Sequence, residues 1–180
     1  NLDCVSILNN PPIMSFNKPS DVIKILKQQK LKEYESAVFL GCADLGLEEA
    51  VFDIDERCLG YEWCDEKREK ATQKGCRAIK ADIRELKEIK ADIVTLFDVL
   101  EHMTKRDAKR LLKRIRAKQV LMFIPIQPDY TKSHSELKRE QRDKKEGNEQ
   151  LTHHLSLWTP KELRELGFTV LYKEGYHKKH

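Results

Sequence analysis

The sequence predicts an α/β protein built on a doubly wound, mostly parallel sheet. Segments with the apolar character of buried strands alternate repeatedly with segments of helical periodicity. The connections between these segments are short, which favours strand–helix–strand units with right-handed crossovers. The longest apolar strand, "ADIVTLFD" at 91–98, is of the kind that is buried on both faces of a parallel sheet.

Strands are predicted at 37–41, 58–63, 76–82, 91–98, 119–126 and 168–172. Helices are predicted at 20–34, 46–52, 65–75, 104–118 and 159–167. The helix at 65–75 ends at Gly75, and Thr159 with Glu162 forms a capping box for the last helix. We expect residues 1–34 to form an irregular arm and a helix, and residues 35–180 to form the main domain. The charged segment 131–149 is expected to be a mobile loop or an exposed helical insertion within it.

Composition limits the classes of protein that the chain can belong to. A length of 180 residues favours one domain, and 39% apolar residues are enough for a core. The net charge of +4 is too small to indicate a nucleic-acid partner by itself. The five cysteines form no Cys-x-x-Cys pair, so we expect reduced thiols in a cytoplasmic protein and no metal site. No signal peptide is visible and no apolar run has membrane-spanning length, so we expect no membrane association.

Ligands of doubly wound sheets bind beyond the carboxyl ends of the strands, so residues that follow each strand are candidates. Glu62 lies at a strand end, where a carboxylate can accept hydrogen bonds from both ribose hydroxyls; the alternative is an ordinary surface acid. Asp82 is placed to accept a hydrogen bond from the adenine amine, with Ile83 packed on the adenine ring. The alternative is that Asp82 caps the following helix. Asp98 ends the longest buried strand, and His102 follows as either a base or a structural residue near a helix start.

Five motifs in order resemble the class I S-adenosylmethionine-dependent methyltransferases, and the small-molecule and glycan-directed branches resemble the chain best. The motifs are "VFLGCADLG", "GYEW", "KADI", "ADIVTLFDVLEHM" and "HHLSLWTPKELRELGFTV". The resemblance implies a Rossmann-like methyltransferase fold and S-adenosylmethionine or S-adenosylhomocysteine as cofactor. The cofactor-binding residues that it implies are Gly41, Cys42, Ala43, Asp44, Gly46, Glu62, Trp63, Asp82, Ile83, Phe97, Asp98 and Val99.

The first motif departs from the family pattern and is degenerate. Phe39 stands where the family has an acid that orients the loop and helps to bind the methionine ammonium, and Asp44 is a candidate substitute. Ala43 stands where the family usually has a second glycine, and Gly46 is a candidate for a later one. The methyl group of Ala43 is tolerable at negative φ and obstructive otherwise. The sequence stops soon after 168–172, so we also expect the family's last strand to be missing, either because the sequence is short there or because the sheet is one strand smaller.

The expected function is methyl transfer from S-adenosylmethionine to a small molecule or sugar. Candidate bases are His102 and His154, since histidine suits proton removal near neutral pH. The substrate side is expected to include Glu101, Tyr130, His153 and Trp158, and segment 131–149 is placed to close as a lid. The alternative for Trp158 is a plug in the core.

Two alternatives to this function stay open. One is a catalytically inactive methyltransferase-like domain that binds a partner or serves as a subunit. The other is a nucleic-acid methyltransferase, suggested by "KRDAKRLLKRIRAK" and "KREQRDKK" but not favoured, because the first segment is amphipathic and the second is interleaved with acids.

Overall fold

Five parallel strands form the sheet that organises the chain. The computed structural model describes residues 27, 31, 33–124 and 155–170. Within them the strands are β1 (Ala37–Leu40), β2 (Cys58–Glu62), β3 (Arg77–Lys80), β4 (Ile89–Phe97) and β5 (Ile115–Phe123). Their order is β3-β2-β1-β4-β5, and each neighbouring pair is parallel. The order reverses between β1 and β4, so the carboxyl ends of these two strands flank the switch point where such folds bind ligands.

Among the described residues, two α-helices and three short 3-10 helices join the strands, and a third α-helix lies in the part 155–170. The α-helices are α1 (Asp65–Gln73), α2 (Lys105–Leu112) and α3 (Pro160–Glu165), and the 3-10 helices are Glu48–Ala50, Ile83–Glu85 and Leu100–His102. α2 begins at Thr104, whose side chain accepts from the N–H of Asp107. The predicted capping box of Thr159 and Glu162 is present at α3. Gly75 follows α1 with φ +92°, as a glycine after a helix often does.

The core lies on both faces of the sheet, and every residue of β1 is buried. Val38 and Leu40 pack on one face with Trp158, while Ala37 and Phe39 pack on the other with Phe52. Phe39 and Phe52 lie with ring centroids 5.1 Å apart. Because β1 is central and covered on both sides, the loop that follows it has a rigid base.

The predicted strands before the charged segment are confirmed, but the predicted helix 104–118 is too long. α2 ends at Leu112, and β5 already begins at Ile115, which pairs in register with Ile89. The basic residues of this stretch continue the helical pattern, yet sheet pairing with the start of β4 outweighs that local preference. The predicted helix 46–52 is only the 3-10 turn Glu48–Ala50.

The predictions for the two ends of the chain fall largely outside the described residues. These include most of the arm and helix at 1–34 and the whole of 131–149. In the predicted strand 168–172, the described residues 168–170 are not in a strand, and Phe168 instead packs in the core. The expectation of a sheet that lacks its last strand is not supported, since all five strands predicted before the charged segment are present. No helix among the described residues is long and apolar enough to cross a bilayer.

Gly60 in β2 offers a test of this packing. A Cβ at Gly60 would lie 2.6 Å from Cys42 Sγ and 3.2 Å from Cys76 Sγ, so Gly60→Ala should lower the free energy of unfolding by about 1–3 kcal/mol. Gly46→Ala is the control, because its Cβ would meet only Asp44 Oδ1 at 3.4 Å. Urea unfolding of both variants checks the difference, and equal stability of the two would contradict the packing described for this face.

Candidate functional site

The loop after β1, residues 41–46 and hereafter the β1 loop, lies at the switch point of the sheet. The N–H groups of Gly41 and Cys42 both donate to the carbonyl of Tyr61, at 2.8 and 3.3 Å, which ties the loop to the end of β2. A Cβ at Gly41 would lie 2.9 Å from Val99 Cγ2, and Gly41 has φ +66°. Only glycine suits this position, because it combines a left-handed backbone with close approach of the turn after β4.

Alternate residues of the β1 loop have the left-handed backbone that favours glycine. The φ angles are +66° at Gly41, +44° at Ala43 and +65° at Leu45. Such a conformation costs an L-residue about 1–2 kcal/mol, so the loop holds strain at two positions. Ala43 therefore has the positive φ at which its methyl group was expected to obstruct. Gly46 is not left-handed, and the third left-handed residue of the loop is Leu45, whereas the role of Gly46 at the cofactor stays a prediction.

Glu62 holds the β1 loop against β2. Its Oε2 accepts from the N–H of Ala43 at 2.9 Å, and its Oε1 accepts from the N–H of Cys64 at 2.8 Å. The side chain is buried at 9% exposure. Each carboxylate oxygen has a second lone pair, so two such bonds leave acceptor capacity for a ligand. The predicted place of Glu62 at the end of β2 is thus confirmed, and its contact with a ribose stays a prediction.

The ends of β2 and β3 carry an exposed aromatic ring and a capped turn. Trp63 is 52% exposed, and Lys80 Nζ lies 5.7 Å from the centroid of its ring. Asp82 accepts from the N–H of Arg84 at 2.9 Å and pairs with the Arg84 guanidinium, which lowers the pKa of the Asp82 carboxyl. Asp82 therefore caps the 3-10 helix that contains Ile83, as the capping alternative predicted.

The end of β4 brings Asp98 and Glu101 together. Asp98 is exposed, has φ +53°, and donates its N–H to the carbonyl of Phe123 at 2.9 Å. Glu101 is only 1% exposed, and neither carboxylate oxygen has a hydrogen-bond partner of good geometry. Burial, together with the charge of Asp98, raises the pKa of Glu101 to about 8. Glu101 is buried beside Asp98 in this structure, and its contact with a substrate stays a prediction. His102 is half-buried and ends the 3-10 helix Leu100–His102.

Trp158 belongs to the core and not to a substrate wall. It is completely buried, and its Nε1 donates to Ser156 Oγ at 2.9 Å. Ser156 Oγ in turn donates to the carbonyl of Leu100 at 3.1 Å, and the N–H groups of Leu155 and Ser156 donate to the carbonyl of Glu101. The expected substrate contact of Trp158 is wrong, and the core alternative is confirmed. Tyr130, His153 and His154 lie outside the described residues.

Glu48 is a buried acid that the sequence interpretation missed. It is 3% exposed, and burial followed by the nearby Asp44 charge raises its pKa to about 7. The adjacent Thr95 hydroxyl lowers that pKa, yet Thr95 Oγ1 is buried without a hydrogen bond of good geometry. A signal was present in the sequence, because Leu45, Glu48 and Phe52 have the i, i+3, i+7 spacing of one helical face, and both apolar members are buried.

Three buried cysteines pack on the same face of the sheet as Phe39. Cys42, Cys58 and Cys76 are free thiols, and burial raises the pKa of each, in Cys76 to about 11. They therefore behave as small apolar side chains and not as nucleophiles. Among the residues that the structure describes, no three His, Cys, Asp or Glu side chains are grouped to hold a metal ion.

Comparison with known proteins supports the fold. No family model and no curated protein matches the sequence. The mitomycin 7-O-methyltransferase MmcR is 18% identical with a TM-score of 0.57, over 82% of this chain and 45% of that chain. The small RNA methyltransferase HEN1 is 17% identical with a TM-score of 0.55, over 90% of this chain and 22% of that chain.

A third similar structure is a methyltransferase from Thermotoga maritima described as a possible histamine N-methyltransferase. It is 19% identical with a TM-score of 0.55, over 80% of this chain and 65% of that chain. The chain spans less than two thirds of the length of these three proteins. At these identities the comparison establishes a Rossmann-like methyltransferase fold, with acceptors in the similar proteins that range from a small molecule to RNA.

Glu101 predicts how stability depends on pH. Folding raises the pKa of Glu101 from an ordinary 4.5 to about 8. The stability that its protonation contributes is therefore fully present below pH 4.5 and is lost as pH rises through about 8. Glu101→Gln removes the carboxyl that titrates. The free energy of unfolding of the variant, relative to that of the wild type, should therefore rise by about 1–3 kcal/mol from pH 5 to pH 8. Urea unfolding at both pH values measures the gain, with exposed Glu165→Gln as the control. A difference from wild type that is the same at both pH values would contradict a raised pKa at Glu101.

Proposed function

We propose that this chain binds S-adenosylmethionine and transfers its methyl group to a small molecule or sugar. The observation that carries the proposal is the β1 loop, whose left-handed residues are held by Glu62 at the switch point of a methyltransferase-type sheet. The fold alone supports cofactor binding only in general terms. The proposal rests on the agreement between this loop and the acidic and aromatic residues at the neighbouring strand ends.

The residues present fit the proposed cofactor. Glu62 has acceptor capacity for ribose hydroxyls, and Trp63 offers an exposed ring next to it. Gly41 has φ +66° and packs closely against Val99, so it fixes the turn that directs the backbone of the β1 loop towards the proposed methionine end. Phe97 and Val99 are buried at the end of β4, where they give the site an apolar wall. The bound cofactor supplies a methyl group on a sulfonium, which is transferred by in-line displacement.

The chain's own contribution to the chemistry is positioning and proton removal. His102 ends the 3-10 helix that follows Asp98, and we propose it as the base that takes a proton from an oxygen or nitrogen acceptor. Two strand ends that approach the acceptor from opposite sides of the switch point would hold it in line with the sulfonium. His154, His153 and Tyr130 stay candidates for the same region.

A nucleic-acid acceptor is the second candidate, because the exposed side of α2 is basic. Arg106, Lys109 and Lys113 are exposed and have no ion-pair partner among the described residues. α2 begins three residues after the turn that carries Glu101 and His102, so this basic surface starts near the site. RNA binding whose affinity falls steeply with added salt would favour this candidate over a small acceptor. An inactive binding domain is the remaining alternative.

Calorimetric titration with S-adenosylhomocysteine tests the proposal. The wild type should bind it, and Glu62→Gln should weaken binding about tenfold or more, because the amide keeps only one acceptor oxygen for two backbone N–H groups and the ligand. Glu66→Gln is the matched control, since Glu66 is exposed on α1 and pairs only with Lys70. Wild-type protein that shows no heat at millimolar ligand would overturn the proposal.

A further inference from the structure

Glu48 is a buried carboxylate directly after the β1 loop, where hydrogen bonds from the backbone at Leu47 and Glu48 lower its pKa but do not offset the effect of burial. It begins the 3-10 helix Glu48–Ala50, and only 3% of it is exposed. Its neighbour Glu49 is exposed and pairs with Lys74 at 2.8 Å. Of these two adjacent glutamates, Glu48 is therefore buried and Glu49 is exposed.

The Glu48 carboxyl lies over the row of the sheet that contains Phe39. Thr95 pairs in register with Phe39, and Phe39 pairs with Gly60, so these residues face the same side of the sheet. The charge of Glu48 raises the pKa of both Cys42 and Cys76, and these thiols cover Gly60. The Thr95 hydroxyl acts on Glu48 itself. These influences indicate that the carboxyl is near Cys42, which belongs to the β1 loop, near Cys76, which precedes β3, and near Thr95 in β4.

No protein cation offsets this buried charge. Among the described residues Glu48 has no ion pair, and Lys74 donates to the Asp44 carbonyl at 2.7 Å and to the neighbouring Glu49 at 2.8 Å. Thr95 Oγ1 also has no hydrogen-bond partner of good geometry. A buried carboxylate beside a buried, unsatisfied hydroxyl is costly, and native proteins keep such groups where a ligand or another partner completes them.

We propose that Glu48 is the anionic partner of a ligand ammonium group bound at the β1 loop. This inference rests on the proposed function, in which that group is the α-ammonium of S-adenosylmethionine. The Thr95 hydroxyl completes the polar pocket by orienting the carboxylate. Phe39, on the same row, supplies no charge, so the acid comes from the turn after the loop and not from β1. Asp44 is the competing acid, an exposed residue of the β1 loop whose charge raises the pKa of Glu48.

The test compares two ligands on variants of adjacent residues. S-adenosylhomocysteine carries the ammonium, whereas 5′-methylthioadenosine lacks the whole amino-acid end. Glu48→Gln should lower the affinity for S-adenosylhomocysteine about 10- to 100-fold, because a charge-assisted hydrogen bond is lost. It should change the affinity for 5′-methylthioadenosine less than about twofold. Glu49→Gln should change the affinity for neither ligand. Asp44→Asn should change the ratio of the two affinities less than Glu48→Gln does. Calorimetry measures the affinity of the wild type and of the three variants for both ligands, which makes eight titrations.

Each contrary result has a distinct meaning. If the wild type binds neither ligand, the proposed function fails before Glu48 is tested. If Glu48→Gln weakens both ligands equally, Glu48 only supports the loop, and if it weakens neither, it has no role in binding. If Asp44→Asn alone produces the selective loss, Asp44 is the partner. Each of the last three results overturns the inference and leaves the proposed function standing.

A measurement on the wild type keeps the inference testable should the variant fail to fold. The pKa of Glu48 is about 7 before binding, so the affinity for S-adenosylhomocysteine should rise relative to 5′-methylthioadenosine from pH 6 to pH 8 as the carboxyl loses its proton. The groups that face Glu48 are Asp44, Cys42, Cys76 and Thr95, and burial keeps both thiols protonated in this range. An affinity ratio that does not change with pH would overturn the inference.

Discussion

The bonds from Glu62 to the backbone on either side of it are the constraint on which the site depends. One carboxylate accepts from Ala43 in the β1 loop and from Cys64 after β2, so it fixes the distance between two neighbouring strand ends. Because the side chain is buried, these charge-assisted bonds are strong. The bond to Ala43 offsets the strain of its left-handed backbone, which no local preference of alanine would sustain.

Buried acids dominate the electrostatics of the same edge. Glu48, Glu62 and Glu101 are each at most 9% exposed, and the pKa is raised well above the ordinary value in Glu48 and Glu101. Arginine and lysine pair instead with exposed acids around the sheet, as Lys80 does with Asp65. A ligand that brings its own positive charge would favour the ionised forms of Glu48 and Glu101 and lower their pKa values, and the proposed cofactor carries both a sulfonium and an ammonium.

The sheet and its switch point could be predicted from the sequence because apolar strands and helix caps are local signals. The apolar run of β1, the capping box at Thr159 and the strand-end position of Glu62 all confirm this. The end of α2 could not be predicted, because pairing of Ile115 with Ile89 is a long-range interaction. Burial of Trp158 and Glu48 depends in the same way on which distant residues cover them, Leu100 through Ser156 in the first case and Thr95 in the second.

The central claim is that ligand binds across the strand ends that Glu62 joins. Amide hydrogen exchange with and without S-adenosylhomocysteine tests it directly, because the N–H groups of Ala43 and Cys64 report on both sides of that junction. We expect the ligand to slow exchange at both of these amides and at Val99, with little change along the exposed side of α2. Slower exchange confined to other parts of the chain, or none at these three amides in the ligand-bound protein, would contradict the claim.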